Sequence, residues 1–230
     1  MKKISMVQKI IESKFRQQVQ SDIKVKNAYL LVHSENLGID INIAEGKTNG
    51  IQANPKQANH LASVGKLFTA TLVSMLHDKG MLSFADKIVK YLDKDLMRGL
   101  HIYKGREYSG DAGGGVVAPL CEFLVFMKAL VNGQLVKGAT LNQMINDDVK
   151  MGFPAIGFDY GYSVWKPKAI PLLMPKKYFC WGCVGVTGAF MFFHPQTEAY
   201  VIGTFNDKSY TSKALRFMLS KVIKPLLKMN

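Results

Sequence analysis

The chain has 230 residues, is 48% hydrophobic and carries 30 Lys+Arg against 17 Asp+Glu, a net charge of +13. That length and apolar content suffice for a full core, most simply in one domain, and no run of 18 apolar residues offers a membrane-spanning helix. The lysines are scattered from Lys2 to Lys228 with no arginine-rich block and no nucleic-acid motif, which favours a solvated basic surface over a nucleic-acid partner.

Residues 4–20 place Ile4, Val7, Ile10, Ile11, Phe15 and Val19 at helical spacing with polar residues between them, which predicts one helix with a single buried stripe. Met1-Lys2-Lys3 is similar to the basic head of a signal peptide. Gln8, Lys9, Glu12, Lys14 and Arg16 interrupt what would be its apolar segment, so the chain reads as cytoplasmic. Residues 27–33 are rich in strand formers, Ser34-Glu35-Asn36-Leu37-Gly38 is a turn, and Ile39, Ile41 and Ile43 then alternate with Asp40, Asn42 and Ala44, the pattern of a β-hairpin. Asn49-Gly50 and Asn54-Pro55 mark loops.

Residues 61–76 form a helix pattern that is apolar nearly all round, so its burial is expected, with Lys79-Gly80 as a basic last turn and a glycine stop. Ser63 and Lys66 stand three apart at its head, on one face, where the hydroxyl and the amine come within hydrogen-bonding reach. Desolvation at the edge of a buried helix favours the neutral amine, and the first-turn amides stabilise negative charge. Those are the requirements of an activated serine nucleophile. Alone, Ser-x-x-Lys is a weak pattern whose plain reading is a serine N-cap followed by a solvated lysine; the rest of the chain changes the odds.

Ser83-Phe84-Ala85-Asp86 opens a short helix through Ile88, Val89 and Leu92. Residues 93–115 are polar and glycine-rich, and Gly113-Gly114-Gly115 lacks the Gly-Lys-Ser/Thr of a phosphate loop, so it reads as a tight turn. Pro119 suits the first position of a helix that carries Leu120, Phe123, Leu124, Met127, Leu130 and Val131 and stops at Asn132-Gly133; a second short helix follows near 140–146. Strands are predicted over 160–165, 178–183, 188–193 and 198–206, and a closing helix over 212–227 with Leu215, Met218, Leu219 and Val222 as its stripe. Three cysteines argue against a disulfide framework. Cys180-Trp181-Gly182-Cys183 matches C-x-x-C, but on a strand the two sulfurs diverge, and no second pair completes a zinc site. The order of elements predicts an α+β fold: a mainly antiparallel sheet flanked by the N- and C-terminal helices, packed together on one face over Ile11, Phe15, Leu215 and Leu219.

Three further blocks follow Ala62-Ser63-Val64-Gly65-Lys66-Leu67-Phe68-Thr69-Ala70 in a definite order. They are Gly80-Met81-Leu82-Ser83-Phe84-Ala85-Asp86, then Ala112-Gly113-Gly114-Gly115-Val116-Val117, then Trp181-Gly182-Cys183-Val184-Gly185-Val186-Thr187-Gly188-Ala189-Phe190, running on to Phe193-His194-Pro195 and Gly203-Thr204-Phe205-Asn206. In this order the chain resembles the serine β-lactamase and penicillin-binding-protein superfamily, in particular its class C-like branch of β-lactamases, D-alanyl peptidases and esterases. The resemblance implies a β-lactamase/transpeptidase-like fold and acyl-enzyme chemistry, with Ser63 as the acylated nucleophile and Lys66 as its activating partner. It implies an oxyanion hole from the backbone amides of Ser63 and Val186. Substrate binding would fall to Gly114 and to Cys183-Val184-Gly185, which occupies the place of the family's Lys-Thr-Gly or His-x-Gly strand motif. No metal or cofactor is expected; the expected partner is a small-molecule acyl, ester or peptide substrate.

Two departures stand out. Cys183 replaces a lysine or histidine, and a neutral thiol cannot supply the charge that holds a substrate carboxylate. The family's large helical insertion, with its Tyr-x-Asn motif for proton transfer, is reduced here to the run Asp95 to Asp111, so residues 1–230 read as a single domain whose helical subdomain is largely missing around 95–111. Tyr108 is the nearest tyrosine, lacks an asparagine two positions on, and reads more readily as a loop residue than as a transplanted base. The expected function is a serine acyl hydrolase with weak turnover. The alternative is a non-catalytic member that keeps the fold and binds acyl or peptide ligands.

Overall fold

A computed structural model describes residues 2–91, 114–150, 157–168 and 175–229. Helix α1 (Lys2–Gln20) buries Val7, Ile11, Phe15 and Val19 of the predicted stripe, while Ile4 is half-buried and Ile10 faces outward, since six positions span more of the helix than its neighbours cover. β1 (Asn27–Ser34) and β2 (Ile39–Thr48) form the expected hairpin, with Leu30 opposite Ile43 and Val32 opposite Ile41. Gly38 closes it at φ +62, a conformation open to glycine without steric cost. The short β3 (Ile51–Gln52) and β4 (Asn59–His60) lead to α2 (Gly65–Asp78). β5 (Val117–Ala118) precedes α3 (Leu120–Val131) and α4 (Gly138–Asn146). Then come β6 (Val149–Lys150), β7 (Phe158–Gly161), β8 (Val164–Pro167), β9 (Trp181–Gly185), β10 (Ala189–His194) and β11 (Ala199–Thr204).

Nine strands join in the order β3-β2-β1-β11-β10-β9-β8-β7-β6, each described pair antiparallel, while β4 and β5 pair separately. Alternation along the strands splits the buried residues between two faces. On one face Leu30, Val32, Phe190, Phe192 and Val201 meet α1 and the C-terminal helical run. That run comprises α5 (Thr211–Phe217), a π-helical segment Met218–Ile223 and a last turn Lys224–Leu226. Phe15 of α1 sits 5.9 Å from Phe205 and 6.1 Å from Phe217 between ring centroids, which locks the two terminal helices to the same face. Ile11, Phe15 and Leu215 are buried there and Leu219 packs half-buried against them, as expected from sequence. On the other face Leu31, Met191 and Ile202 meet Leu67 of α2, Phe123 and Met127 of α3 and Met144 of α4.

Five local expectations are corrected. The strand expected over 160–165 is the hairpin β7–β8, turned at Tyr162 and Ser163 with φ +29 and +63, two positions that hold neither glycine nor asparagine. The closing helix is not purely α-helical. The helix expected after Ser83 is described only as a 3₁₀ turn, Ile88–Lys90, and Pro119 caps α3 rather than entering it. Finally, α2 is not buried all round: Leu72 is 62% exposed, and Val73 and Leu76 also face outward. Apolar content alone does not say which faces of a helix neighbours cover.

Candidate active site

The chain enters α2 through a 3₁₀ turn, Ala62–Val64, so Ser63 stands just ahead of the helix and Lys66 in its first turn. Leu61, Val64 and Leu67 are buried in the core below and fix this turn to the sheet. Ala62 takes φ +49, a left-handed conformation that costs a non-glycine residue about 1–2 kcal/mol. Lys66 Nζ donates to Ser63 Oγ at 2.6 Å, and both residues are half-buried.

Close backbone approaches frame the turn. A Cβ on Gly185, at the end of β9, would lie 2.4 Å from the Leu61 carbonyl oxygen; one on Gly114 would lie 2.8 Å from that of Ala62; one on Gly65 would lie 2.9 Å from Gly114 Cα. Only glycine permits these contacts. The pairing of Asn59 with Ala118 and of His60 with Val117 carries Gly114 and Gly115 to this place, beside the strand that leads into Ser63. Gly65 and the strained Ala62 were not singled out from the sequence; a glycine between Ser63 and Lys66 is the one signal that pointed to close packing there.

Cys183 lies on the β9 face that looks toward α2, but it is 1% exposed, and its thiol donates to the Ser63 carbonyl oxygen at 3.3 Å. Burial pushes the thiol pKa up to about 12, against small opposing effects of the Val184 backbone and the nearby Lys66 charge, so it stays a neutral donor. This differs from a substrate-contacting side chain: the thiol is engaged with the backbone of the serine. Val184 points its side chain into the core on the opposite face, so only its backbone is available on the serine side. Cys180 belongs to that opposite core too, and the two sulfurs of the C-x-x-C do diverge. Val186 follows β9 in the turn to β10, closed by Gly188 N–H donating to the Gly185 carbonyl at 3.2 Å. It is 51% exposed, and its carbonyl accepts from Thr211 Oγ1 at 2.8 Å. Tyr108 and the run 95–111 lie outside the described residues. Among the described residues, no group of three or more His, Cys, Asp or Glu side chains could hold a metal ion.

Chemically, this is a hydroxyl held against an amine at the start of a helix, on a turn held by close glycine contacts. In its neutral form the amine can accept the hydroxyl proton while the oxygen attacks an electrophilic carbon.

Comparison with known proteins bears on the fold. The Beta-lactamase family model matches residues 41–102. No curated protein sequence matches the chain significantly. Among solved structures, the D-amino acid amidase from Ochrobactrum anthropi SV3 complexed with L-phenylalanine superimposes with a TM-score of 0.75 at 12% identity, over 96% of this chain and 99% of the other. The D-stereospecific amidohydrolase from Streptomyces sp. gives 0.66 at 12% identity, over 93% and 98%. Simvastatin synthase (LovD9 mutant) from Aspergillus terreus gives 0.65 at 9% identity, over 94% and 97%. A Beta-lactamase segment in the sequence and the α+β architecture built around it place this chain in the fold of the serine β-lactamase and penicillin-binding-protein superfamily.

Proposed function

We propose that the chain is a serine acyl hydrolase that works through an acyl-enzyme on Ser63. The observation that carries this reading is the 2.6 Å contact between Lys66 Nζ and Ser63 Oγ. Ser63 Oγ attacks the acyl carbon as its proton passes to the Lys66 amine, and the carbonyl oxygen takes up the negative charge against the amides of Ser63 and Val186. Collapse breaks the bond to the leaving group, which takes the proton from Lys66; water then attacks the ester, and Ser63 regains its proton. Gly114 and Gly185 let their backbone pack closely against the serine turn, where it would border the substrate. Cys183, engaged with the Ser63 carbonyl, supplies no cation for a substrate carboxylate, so neutral acyl compounds fit best: aryl esters, amides and D-amino acid amides of the kind named for the amidase relative.

The second reading, a family member that binds acyl or peptide ligands without turnover, is favoured by the same Cys183, which stands where relatives carry a lysine or histidine. One experiment separates the two. Intact-mass spectrometry after exposure to a fluorophosphonate should show a single adduct on Ser63, absent in Ser63→Ala and in folded Lys66→Ala, and a neutral aryl ester should be hydrolysed slowly but with Ser63 dependence. An adduct on Ser34 or Ser74, or a Lys66→Ala protein that labels at the native rate, would end the acyl-enzyme reading. Labelling of Ser63 with no Ser63-dependent hydrolysis of esters or amides would favour the binding protein.

A further inference from the structure

The charge of the molecule is not evenly distributed over the fold. Residues 2–20 and 208–229 hold eleven of the 30 Lys+Arg and one of the 17 Asp+Glu, which leaves nineteen and sixteen for all other residues; the two terminal segments thus carry +10 of the net +13. Those segments are the helical layer on the sheet face opposite Ser63. Along the C-terminal run Lys213, Arg216, Lys221, Lys224 and Lys228 are exposed, and no acidic residue follows Asp207. Helix α1 adds exposed Lys3, Lys9 and Lys14, and Lys3 Nζ donates to the Met229 carbonyl at 2.9 Å, joining the two helices. Asp22 pairs with Lys213 and Glu45 with Arg16, but among the described residues no carboxylate pairs with Lys9, Lys14, Arg216, Lys221, Lys224 or Lys228. Between the lysines of α1 stand two exposed apolar side chains, Met6 at 64% and Ile10 at 38%.

Crowding like charge on one layer destabilises a fold unless something outside the molecule neutralises it. We propose that this face docks on the surface of an anionic lipid bilayer. A broad two-helix surface with unpaired lysines around exposed Met6 and Ile10 suits the headgroup boundary, where basic groups meet lipid charge and apolar side chains enter the acyl edge. A single-stranded nucleic-acid surface would call for aromatic rings to stack on bases, and the rings of this layer, Phe15, Phe205, Tyr210 and Phe217, are all buried; a duplex surface, bound through its phosphates, gives no role to the exposed Met6 and Ile10. Docking is peripheral, since no helix among the described residues is long and apolar enough to cross a membrane. It leaves Ser63 on the side of the sheet that faces away from the lipid.

The test is co-sedimentation of the full chain with phosphatidylcholine vesicles containing 0% or 30% phosphatidylserine. Binding should require phosphatidylserine and disappear in high salt, where the Debye length falls to about 3 Å. Reversing Lys221, Lys224 and Lys228 to Glu together should weaken partitioning by at least about 100-fold, at roughly fivefold for each basic group near the surface. Met6→Ser with Ile10→Ser should weaken it by roughly tenfold, from the lost apolar contact. Both variants should unfold cooperatively, the lysine variant at a temperature no lower than the parent because it relieves like-charge crowding, and fluorophosphonate labelling should not change when vesicles are added. Binding that ignores phosphatidylserine, a triple variant that partitions like the parent, or tighter binding to a DNA duplex or single-stranded RNA than to the vesicles would overturn the proposal.

Discussion

The contact between Ser63 and Lys66 was legible because a three-residue spacing across a helical turn brings two side chains to one face, and the 2.6 Å separation is what that spacing predicts. Cys183 was legible only in position. Strand alternation places it toward the serine, but nothing in the sequence indicates that its thiol bonds the serine's own carbonyl rather than facing a ligand. A net hydrogen bond is worth about 0.5–1.5 kcal/mol, so Cys183→Ala should slow fluorophosphonate labelling of Ser63 by about three- to tenfold while the protein stays folded. Cys183→Ser, which keeps a donor, should recover most of that loss. Native-rate labelling by Cys183→Ala would show that the thiol does not position the serine. Cys183→Lys should lower the thermal transition rather than gain activity, because an unpaired ammonium in a 1% exposed site carries a desolvation penalty of several kcal/mol.

The elements were readable where one face is buried and one is wet, as in α1 and β2, because a period of 3.6 or 2 then survives in the residue types. It failed at β7–β8, where Tyr162 and Ser163 adopt positive φ without turn residues, and on α2, whose outward Leu72, Val73 and Leu76 look no different from core. The seam between β9 and the serine turn depends on Gly185. Gly185→Ala would push a methyl against the Leu61 carbonyl and the Ala62 and Ala189 side chains, so it should both destabilise the fold and cut Ser63 labelling by more than tenfold. Unchanged labelling kinetics would show that this seam is looser than its contacts imply. His194, at the end of β10, accepts from the Thr197 N–H through Nδ1 and donates to the Lys177 carbonyl through Nε2 at 2.8 Å. Burial holds its pKa below the ordinary 6.5, opposed by that carbonyl contact. The folded state therefore binds fewer protons than the unfolded chain just below pH 6.5, and stability falls as pH drops through that value. Melting curves at pH 7.5 and 5 should show this loss, and His194→Gln should flatten it; an unaltered slope would assign the acid sensitivity elsewhere.

At the scale of the molecule, one sheet separates two cores with different duties: α1 and the C-terminal run anchor one side, and the serine turn rests on the other. Both cores draw on alternate residues of the same strands, so neither can melt without stripping the other's support, and the two should unfold together. The cysteines report on this directly. Cys121 is exposed, Cys180 is buried in the core under the terminal helices, and Cys183 in the core under α2. Burial raises the thiol pKa of both inner cysteines, to about 12 for Cys183, so each is protected by access and by a low thiolate fraction. In native buffer a thiol reagent should modify Cys121 quickly and the other two more than about a thousandfold more slowly, at a rate set by opening of the fold. As urea is raised, Cys180 and Cys183 should become reactive over one shared transition that coincides with loss of helical signal. If Cys183 reacts at a lower urea concentration than Cys180, the side that carries Ser63 opens on its own, and the sheet is not the cooperative unit that its shared strands imply.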